Sequence, residues 1–467
     1  MPKTSKLAPV VVVAVVLAVA AVVRAVFWHR LRFLTDEPYA AQLIPLALLR
    51  DDPLRSVWNF HSQPPLFNLF VAAILHAAPA HEALALRLAM VGLGLLAFSL
   101  LALALLAVTR RPWVAIVGAA AVAVLPSALA YESWLFYAQL ELACTAAIAF
   151  VIARIDGPDD TRAFAALGVA GLLLTLVRSA YHPVWLLALL LGWAGTRALC
   201  ARRDPGAART AASRRQLMLA ALFAACALAW PAKNAVQFGF FGNSSWLGMS
   251  LAKIAVYPQP YETRLKWVQE GSISHYTLSA PFLPIAQYNP PPPDAPPAHP
   301  VLALPLNDAR YVAVSKQLSR DALWVIGHAP GSYLATVWQA MVRFFEPTTF
   351  HSAFMNANMP ALAGYDAPFL ALLYPGQHLV FAVLAYLVPL VVGLGTWLRA
   401  LSGHAEARAG VRGWLLGGTL AYALLVFCCT EWGENNRFRY TLLPLIVFGD
   451  AWAAVQVARA LRASRRS

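Results

Sequence analysis

The sequence predicts an all-α polytopic membrane protein, a bundle of about ten transmembrane helices with further helices lying against its outer face. Three observations carry this. Of 467 residues, 60% are hydrophobic and only 12% charged, about half the charge density of a soluble domain. Mean hydropathy is +0.60. Apolar runs long enough to cross a bilayer, about 20 residues each, recur along the chain, and the loops between them alternate in charge.

The first run, "LAPVVVVAVVLAVAAVV" after Lys3 and Lys6, is longer than a signal-peptide core and is followed directly by Arg24. It reads as an uncleaved signal anchor. Further runs lie at about 83–108, 112–130, 133–153, 163–178, 181–197, 216–236, 374–398, 412–430 and 438–458. The runs at 163–178 and 181–197 are short, as expected of tilted or partly re-entrant segments. Arg110-Arg111, the loop from Arg154 to Arg162, "RALCARRDPGAARTAASRR" (197–215), "RALSGHAEARAGVR" (399–412) and the tail "RALRASRRS" are basic. Ten spans with both termini in the cytoplasm put every basic loop inside. The net charge of +14 is then a topological signal, and a nucleic-acid partner is not expected. The Arg-rich, Lys-poor composition suggests a GC-rich bacterium, hence the inner membrane.

Three regions follow. Residues 1–236 form an N-terminal transmembrane module whose first outer loop, 28–82, carries an acidic pair. Residues 237–373 form an outer, periplasmic segment with the extended linker "YNPPPPDAPPAHP", then two amphipathic helices broken at Ala329-Pro330-Gly331. Residues 374–467 form the last helices and a basic tail. In the first loop, "FHSQPPLFNLFVAAILHAAP" is too short to span and reads as an interfacial helix entered through Pro64-Pro65. No cysteine falls between 240 and 366, which excludes a disulfide scaffold there, and no spacing resembles a zinc site.

Ionisable residues are expensive in a bilayer, yet they gather at the outer helix ends: Asp36, Glu37, His61 and Gln63; Glu132; Arg178 and His182; Lys233 and Asn234; Glu431, Glu434, Arg437, Arg439 and Tyr440. Carboxylates and cations at one depth suit group transfer from a lipid phosphate. A carboxylate deprotonates a hydroxyl, and Arg or Lys holds a phosphate and the charge that grows on it. Blander readings stand beside this one. Thr35 or Asp36 before Pro38 is also a good helix start, interfacial Arg and Lys also anchor helix ends, and His61 and His182 also suit satisfied interface positions. Glu141 and Asp450 fall inside predicted spans. They favour a rival reading, a transporter or flippase of lipid-linked sugars, against which stand the lack of an internal repeat and the clustering at one face. No P-loop or Gly-rich nucleotide fingerprint is present.

"TDEPYAAQL" followed by "HSQPPLFNLF" resembles the first outer loop of GT-C glycosyltransferases that use polyprenyl-phosphate sugars, among them protein O-mannosyltransferases and lipid A aminoarabinose transferases of the family-39 type. "LPSALAYESW", "WPAKNAVQFGFFGNSSWLGMSLA", "HAPGSYLATVWQAMVRFFEP" and "ENNRFRYTLLPLI" resemble later segments of that family in the same order. The resemblance implies a GT-C-like bundle and an inverting transfer of one sugar to an acceptor hydroxyl on a glycan, lipid or protein. Asp36 matches the family's catalytic base and Glu37 its neighbouring acid. His61 and Gln63 would line the donor or acceptor cleft, and Glu132, Asn234 and Glu434 are further candidate substrate-binding residues. Arg437, Arg439 and Tyr440 would face the lipid phosphate, as would Lys233 and Arg178. Gln63 stands where the family often has His or Lys before Pro-Pro. Paired carboxylates could hold a divalent metal, but the basic residues supply the same electrostatic work, so no cofactor is expected.

Overall fold

Pro, Gly and charge punctuate long apolar runs, and helices form between the breaks. The computed structural model describes residues 7–35, 42–202, 211–288, 307–350 and 357–464. The polyproline stretch from 289 onward and the pair Asp36-Glu37 lie outside the described residues. Among the described residues the chain is helical, apart from one isolated parallel bridge between Leu34 and Trp134.

The first span, α1 (Ala8–Phe27), leads into the short helices α2 (Leu46–Asp51) and α3 (Pro53–Trp58), then α4 (Leu66–Ala77). The bundle continues with α5 (Glu82–Thr109), α6 (Pro112–Ala123), α7 (Pro126–Glu132), α8 (Ala138–Arg154), α9 (Thr161–Val177), α10 (Pro183–Ala201) and α11 (Ala211–Phe238). The long segment that follows folds as α12 (Leu247–Ala255), α13 (Tyr261–Gln269), α14 (Arg310–His328), α15 (Pro330–Phe345) and α16 (Met359–Leu373). Three long helices close the chain: α17 (Val380–Leu401), α18 (Ala407–Thr430) and α19 (Asn435–Ser464).

All ten expected spans are helical, but they are not equal. Seven are long and apolar enough to cross a membrane alone, and an eighth arises if α6 and α7 count as one span bent by 56°. The bend falls at Pro126, the first residue of α7, because proline lacks an N–H and its ring displaces the preceding turn. The other two, α8 and α9, have 17 residues each, about 25 Å at 1.5 Å per residue. That is short of the roughly 30 Å hydrocarbon core. Thirteen of the α8 side chains are buried, so this helix is sheltered by its neighbours and needs little apolar surface of its own.

Two charged residues inside the bundle pair with each other in the core. Arg24 is 7% exposed and ion-paired to Glu132. It also donates to the carbonyls of Ala20 at 2.9 Å and Ala123 at 3.2 Å. Glu132 packs against α5 at Gly94, where a β-carbon would overlap its carboxylate. The pair binds α1, α5 and α7 together where an unpaired charge would be costly. Farther along, Gly393 of α17 meets Gly413 and Gly417 of α18 backbone to backbone, the close approach that small residues permit between membrane helices.

The long segment builds a second core around Met249, Tyr311, Val314 and Leu318, separate from the bundle core. The expected break between amphipathic helices falls at Ala329, with α14 ending at His328 and α15 starting at Pro330. Helix α16 was not anticipated by the sequence reading. The α12–α14 contact depends on Gly248, whose N–H donates to Ser315 Oγ at 3.0 Å and whose missing β-carbon leaves room for the Ser315 carbonyl. Gly248→Val should therefore separate α12 from α14 and cost about 1–3 kcal/mol, read as a lowered thermal-unfolding midpoint in detergent. An unchanged midpoint would show that the contact relaxes freely.

Candidate functional site

A cavity of about 1620 Å³ opens at the end of the bundle that carries the long segment. Its walls come from residues on both sides of the acidic pair, from the α9–α10 turn, from α12 and the loop before it, and from the facing ends of α18 and α19.

The floor is built on two arginines. Arg178 follows the last turn of α9 and is 6% exposed in its side chain. Its Nη1 donates to Glu141 Oε2 at 2.8 Å, and Thr441 Oγ1 donates to Glu141 Oε1 at 2.8 Å. This accounts for Glu141, the carboxylate within a predicted span. It is wholly buried, and it holds Arg178 in place while tying α8 to α19. Asp450, half-buried in α19, has no such partner among the described residues, and nothing in the structure explains it. The second arginine, Arg437 in the first turn of α19, pairs at 2.9 Å with Glu434, which immediately precedes the helix. Its Nε has no acceptor among the described residues. Phe438 lies between the two guanidinium groups, 4.1 Å from that of Arg178 and 5.4 Å from that of Arg437. Phe136 and Tyr137 complete an aromatic shelf, at 4.9 Å from Arg437 and 5.1 Å from Arg178 respectively. Two flat cations held on ring faces make a rigid, positively charged floor.

The rim is polar. Gln63 Oε1 accepts from Ser179 Oγ at 3.2 Å. Lys253 of α12 pairs with Glu431 at 2.7 Å, and Ser250 Oγ donates to the same carboxylate at 3.2 Å. Arg50 lines the opposite side and is held by Glu82 at 2.6 Å. Asn243 also lines the cavity, with both amide atoms buried and without partners among the described residues.

The "HSQPP" element acts as a knot behind part of this wall. The backbone N–H groups of His61 and Ser62 both donate to Asn307 Oδ1, at 3.0 and 3.1 Å. The His61 ring is buried, with Nδ1 2.8 Å from Ser245 Oγ, and Ser245 N–H donates to the His61 carbonyl at 3.0 Å. Lys233 Nζ donates to the Phe60 carbonyl at 2.7 Å and lies 4.1 Å from the Trp230 ring. Asn234 Nδ2 donates to the Gly242 carbonyl at 2.8 Å. The first loop, α11 and the wall segment 242–245 are thereby locked together by buried hydrogen bonds, each costly to leave unmade.

The chain on either side of the acidic pair is pinned as well. Leu34 N–H donates to the Ser133 carbonyl at 2.8 Å, and Leu135 N–H to the Leu34 carbonyl at 2.9 Å. Ile44 N–H donates to Asn68 Oδ1 at 2.8 Å, and Asn68 Nδ2 to the Gln42 carbonyl at 3.3 Å. Thr35 and Gln42 both line the cavity; Asp36 and Glu37, which lie outside the described residues, come between them in sequence.

Of the residues singled out from sequence, Gln63, Arg178, His182, Glu431, Glu434 and Arg437 line the cavity. His61, Lys233 and Asn234 do not line it; they support its wall. Glu132 is engaged by Arg24 instead. Arg439 donates to the carbonyls of Phe344 at 2.9 Å and Glu346 at 2.7 Å, anchoring the end of α15. Tyr440 is buried against Tyr131, with ring centroids 4.3 Å apart. The reason is helical periodicity: on α19, Arg437 and Phe438 face the cavity, and the next two residues turn away. Sequence reasoning did not anticipate Arg50, Asn243, Ser250 or Lys253. The Lys253–Glu431 pair joins residues 178 positions apart, and no local pattern marks it. Among the described residues no three His, Cys, Asp or Glu side chains converge as a metal site would require.

Glu141→Gln should leave Arg178 buried and unpaired and cost about 3–5 kcal/mol, with Glu141→Gln/Arg178→Met recovering part of the loss; calorimetry in detergent checks this, and a neutral single variant would contradict it. His61 gives a pH signature. Burial, and then the nearby Lys233 charge, lower its pKa from 6.5 to about 3. The unfolded chain takes up that proton first, so the contribution of His61 is complete above pH 6.5 and is lost as pH falls toward 3. His61→Gln should flatten the fall in unfolding midpoint between pH 7 and 4; equal slopes would contradict this.

No family model and no curated protein matches the chain. Among solved structures, the chain is similar to the Archaeoglobus fulgidus oligosaccharyltransferase in complex with zinc and sulfate, at 15% identity and a TM-score of 0.42 over 96% of this chain and 49% of that one. It is also similar to the oligosaccharyltransferase AglB of the same organism in complex with an inhibitory peptide and a dolichol-phosphate, at 13% identity and 0.43 over 98% and 51%. A third similarity is to ArnT from Cupriavidus metallidurans in the apo state, at 15% identity and 0.32 over 94% and 77%. The chain spans about half the length of the two archaeal structures.

Proposed function

We propose that this multi-pass membrane protein is a GT-C-type glycosyltransferase of the bacterial inner membrane. It moves one sugar from a polyprenyl-phosphate carrier to an acceptor hydroxyl on the periplasmic side. The observation that carries this reading is the cavity floor. Arg178 and Arg437 are fixed on an aromatic shelf, and the Arg437 Nε has no acceptor among the described residues, at the end of the bundle where a lipid carrier can stay in the bilayer.

In this reading Asp36, with Glu37 beside it, takes the proton of the acceptor hydroxyl. The oxygen attacks the anomeric carbon from the face opposite the phosphate, and the bond from that carbon to the phosphate oxygen breaks with inversion. The departing polyprenyl phosphate gains negative charge, which Arg178 and Arg437 stabilise. In this reading Gln63, Asn243 and Glu434, which line the cavity, hydrogen-bond sugar or acceptor hydroxyls. Lys233, Arg439 and Tyr440, also considered for the phosphate, are better assigned to support, since protein carbonyls and side chains already engage them. Aromatic faces in the cavity suit sugar stacking, which favours this reading over a flippase that must pass its cargo through the bundle.

The test uses purified protein, a radiolabelled polyprenyl-phosphate sugar and a cell-envelope extract as acceptor. Asp36→Asn should lower transfer by at least about 10²-fold, the usual worth of a general base, with the unfolding midpoint unchanged. Arg437→Gln should lower kcat more than it raises KM. Full activity in the Asp36 variant would remove that residue from the mechanism, and movement of labelled lipid across vesicles without sugar transfer would overturn the reading.

A further inference from the structure

A second, small cavity of about 120 Å³ lies at the end of the bundle opposite the large one. The C-terminal end of α5, the first turns of α18 and the last turns of α19 converge on it. Four arginines stand in its wall, Arg110, Arg408, Arg412 and Arg459, against a single carboxylate, Glu406.

Basic residues that serve only to orient a membrane protein extend into water. Arg412 does not. It is partly buried, and its Nη2 donates to the carbonyls of Ala153 at 2.9 Å and Ile155 at 2.7 Å, which fix the guanidinium between α8 and α18. Its Nε has no acceptor among the described residues, nor does the Nε of Arg408. The indole N–H of Trp452, a wall residue only 1% exposed, also lacks one. Arg408 meets Asp156 only at 3.8 Å, and that carboxylate is 92% exposed. Arg408 and Arg459 both bear on Arg412 as like charges, offset only in part by Asp156. Such crowding is unfavourable unless an anion joins it. Arg110 adds its charge from a left-handed backbone conformation, φ 57°, that a glycine would adopt with less strain. A cavity of 120 Å³ is several times the roughly 30 Å³ share of one water, enough for one tetrahedral oxyanion.

The geometry points to a binding site for a phosphate group at this end of the bundle, held by Arg412 with Arg408 and Arg459 and independent of the large cavity. The phosphate can be free inorganic phosphate or belong to the headgroup of an anionic lipid, and the experiment separates the two. Full-length protein in an uncharged detergent is heated in inorganic phosphate against potassium chloride of equal ionic strength, and in micelles doped with phosphatidylglycerol against phosphatidylcholine. One of the two anions should raise the unfolding midpoint by about 4 °C when in hundredfold excess over its dissociation constant. Arg459→Gln, an exposed position that leaves the carbonyl contacts of Arg412 intact, should remove at least half of that shift, and Arg412→Gln nearly all of it. A shift with phosphate assigns free anion, and one with phosphatidylglycerol alone assigns the lipid. The proposal is overturned if neither anion shifts the wild type, or if Arg459→Gln keeps the full shift, which would place the anion in the large cavity instead.

Discussion

The architecture of the large cavity depends on one buried ion pair, Glu141 with Arg178. Glu141 is fully enclosed, accepts from both Arg178 and Thr441, and so joins α8, the α9–α10 turn and α19 at one point. A lone carboxylate there would be too costly to keep ionised. Paired in this way, it fixes the guanidinium of Arg178 while leaving the ring faces of Phe438, Tyr137 and Phe427 against it. The cation at the cavity floor is therefore set before any ligand arrives, which is the condition for electrostatic stabilisation without reorganisation.

A second constraint acts from the opposite wall. The loop of His61 and Gln63 is stapled to Asn307, Ser245 and Lys233, residues more than 170 positions away in sequence. The staple lets the segment between α11 and α12 serve as a cavity wall, and it orients Gln63 inward. The positive floor and the stapled wall together explain why polar residues far apart in sequence reach one space.

Much of the fold was legible in the sequence because hydropathy and proline act locally. The long apolar helices of the bundle, the break at Ala329-Pro330 and the short helix after Pro65 each follow from runs that are visible without any partner. The bend at Pro126 had a visible signal too, but the apolar run from 112 to 130 concealed it. The site was legible only in part. Arg178, Glu434 and Arg437 could be picked out as charges at helix ends. What separates them from Arg439 or Lys233 is the direction each side chain takes and which carbonyl it meets, and neither is written in residue type. Glu141 had no explanation from sequence, although its partner Arg178 lies only 37 positions away; the pair becomes evident once α8 and α9 are packed. Ser250 and Lys253 lacked any local signature, since only the packing of α12 under α14 brings them to the rim, and Asn243 reaches the cavity only through the hydrogen bonds that hold 242–245 to Asn234 and His61.

The account centres on a lipid phosphate seated between Arg178 and Arg437. An experimental structure of the protein with bound polyprenyl monophosphate tests this most directly. The account predicts phosphate oxygens within about 3 Å of both guanidinium groups, with the lipid chain leaving toward the bilayer. A phosphate resting on Lys253 or Arg50, with Arg178 and Arg437 still engaged only by Glu141 and Glu434, would contradict it.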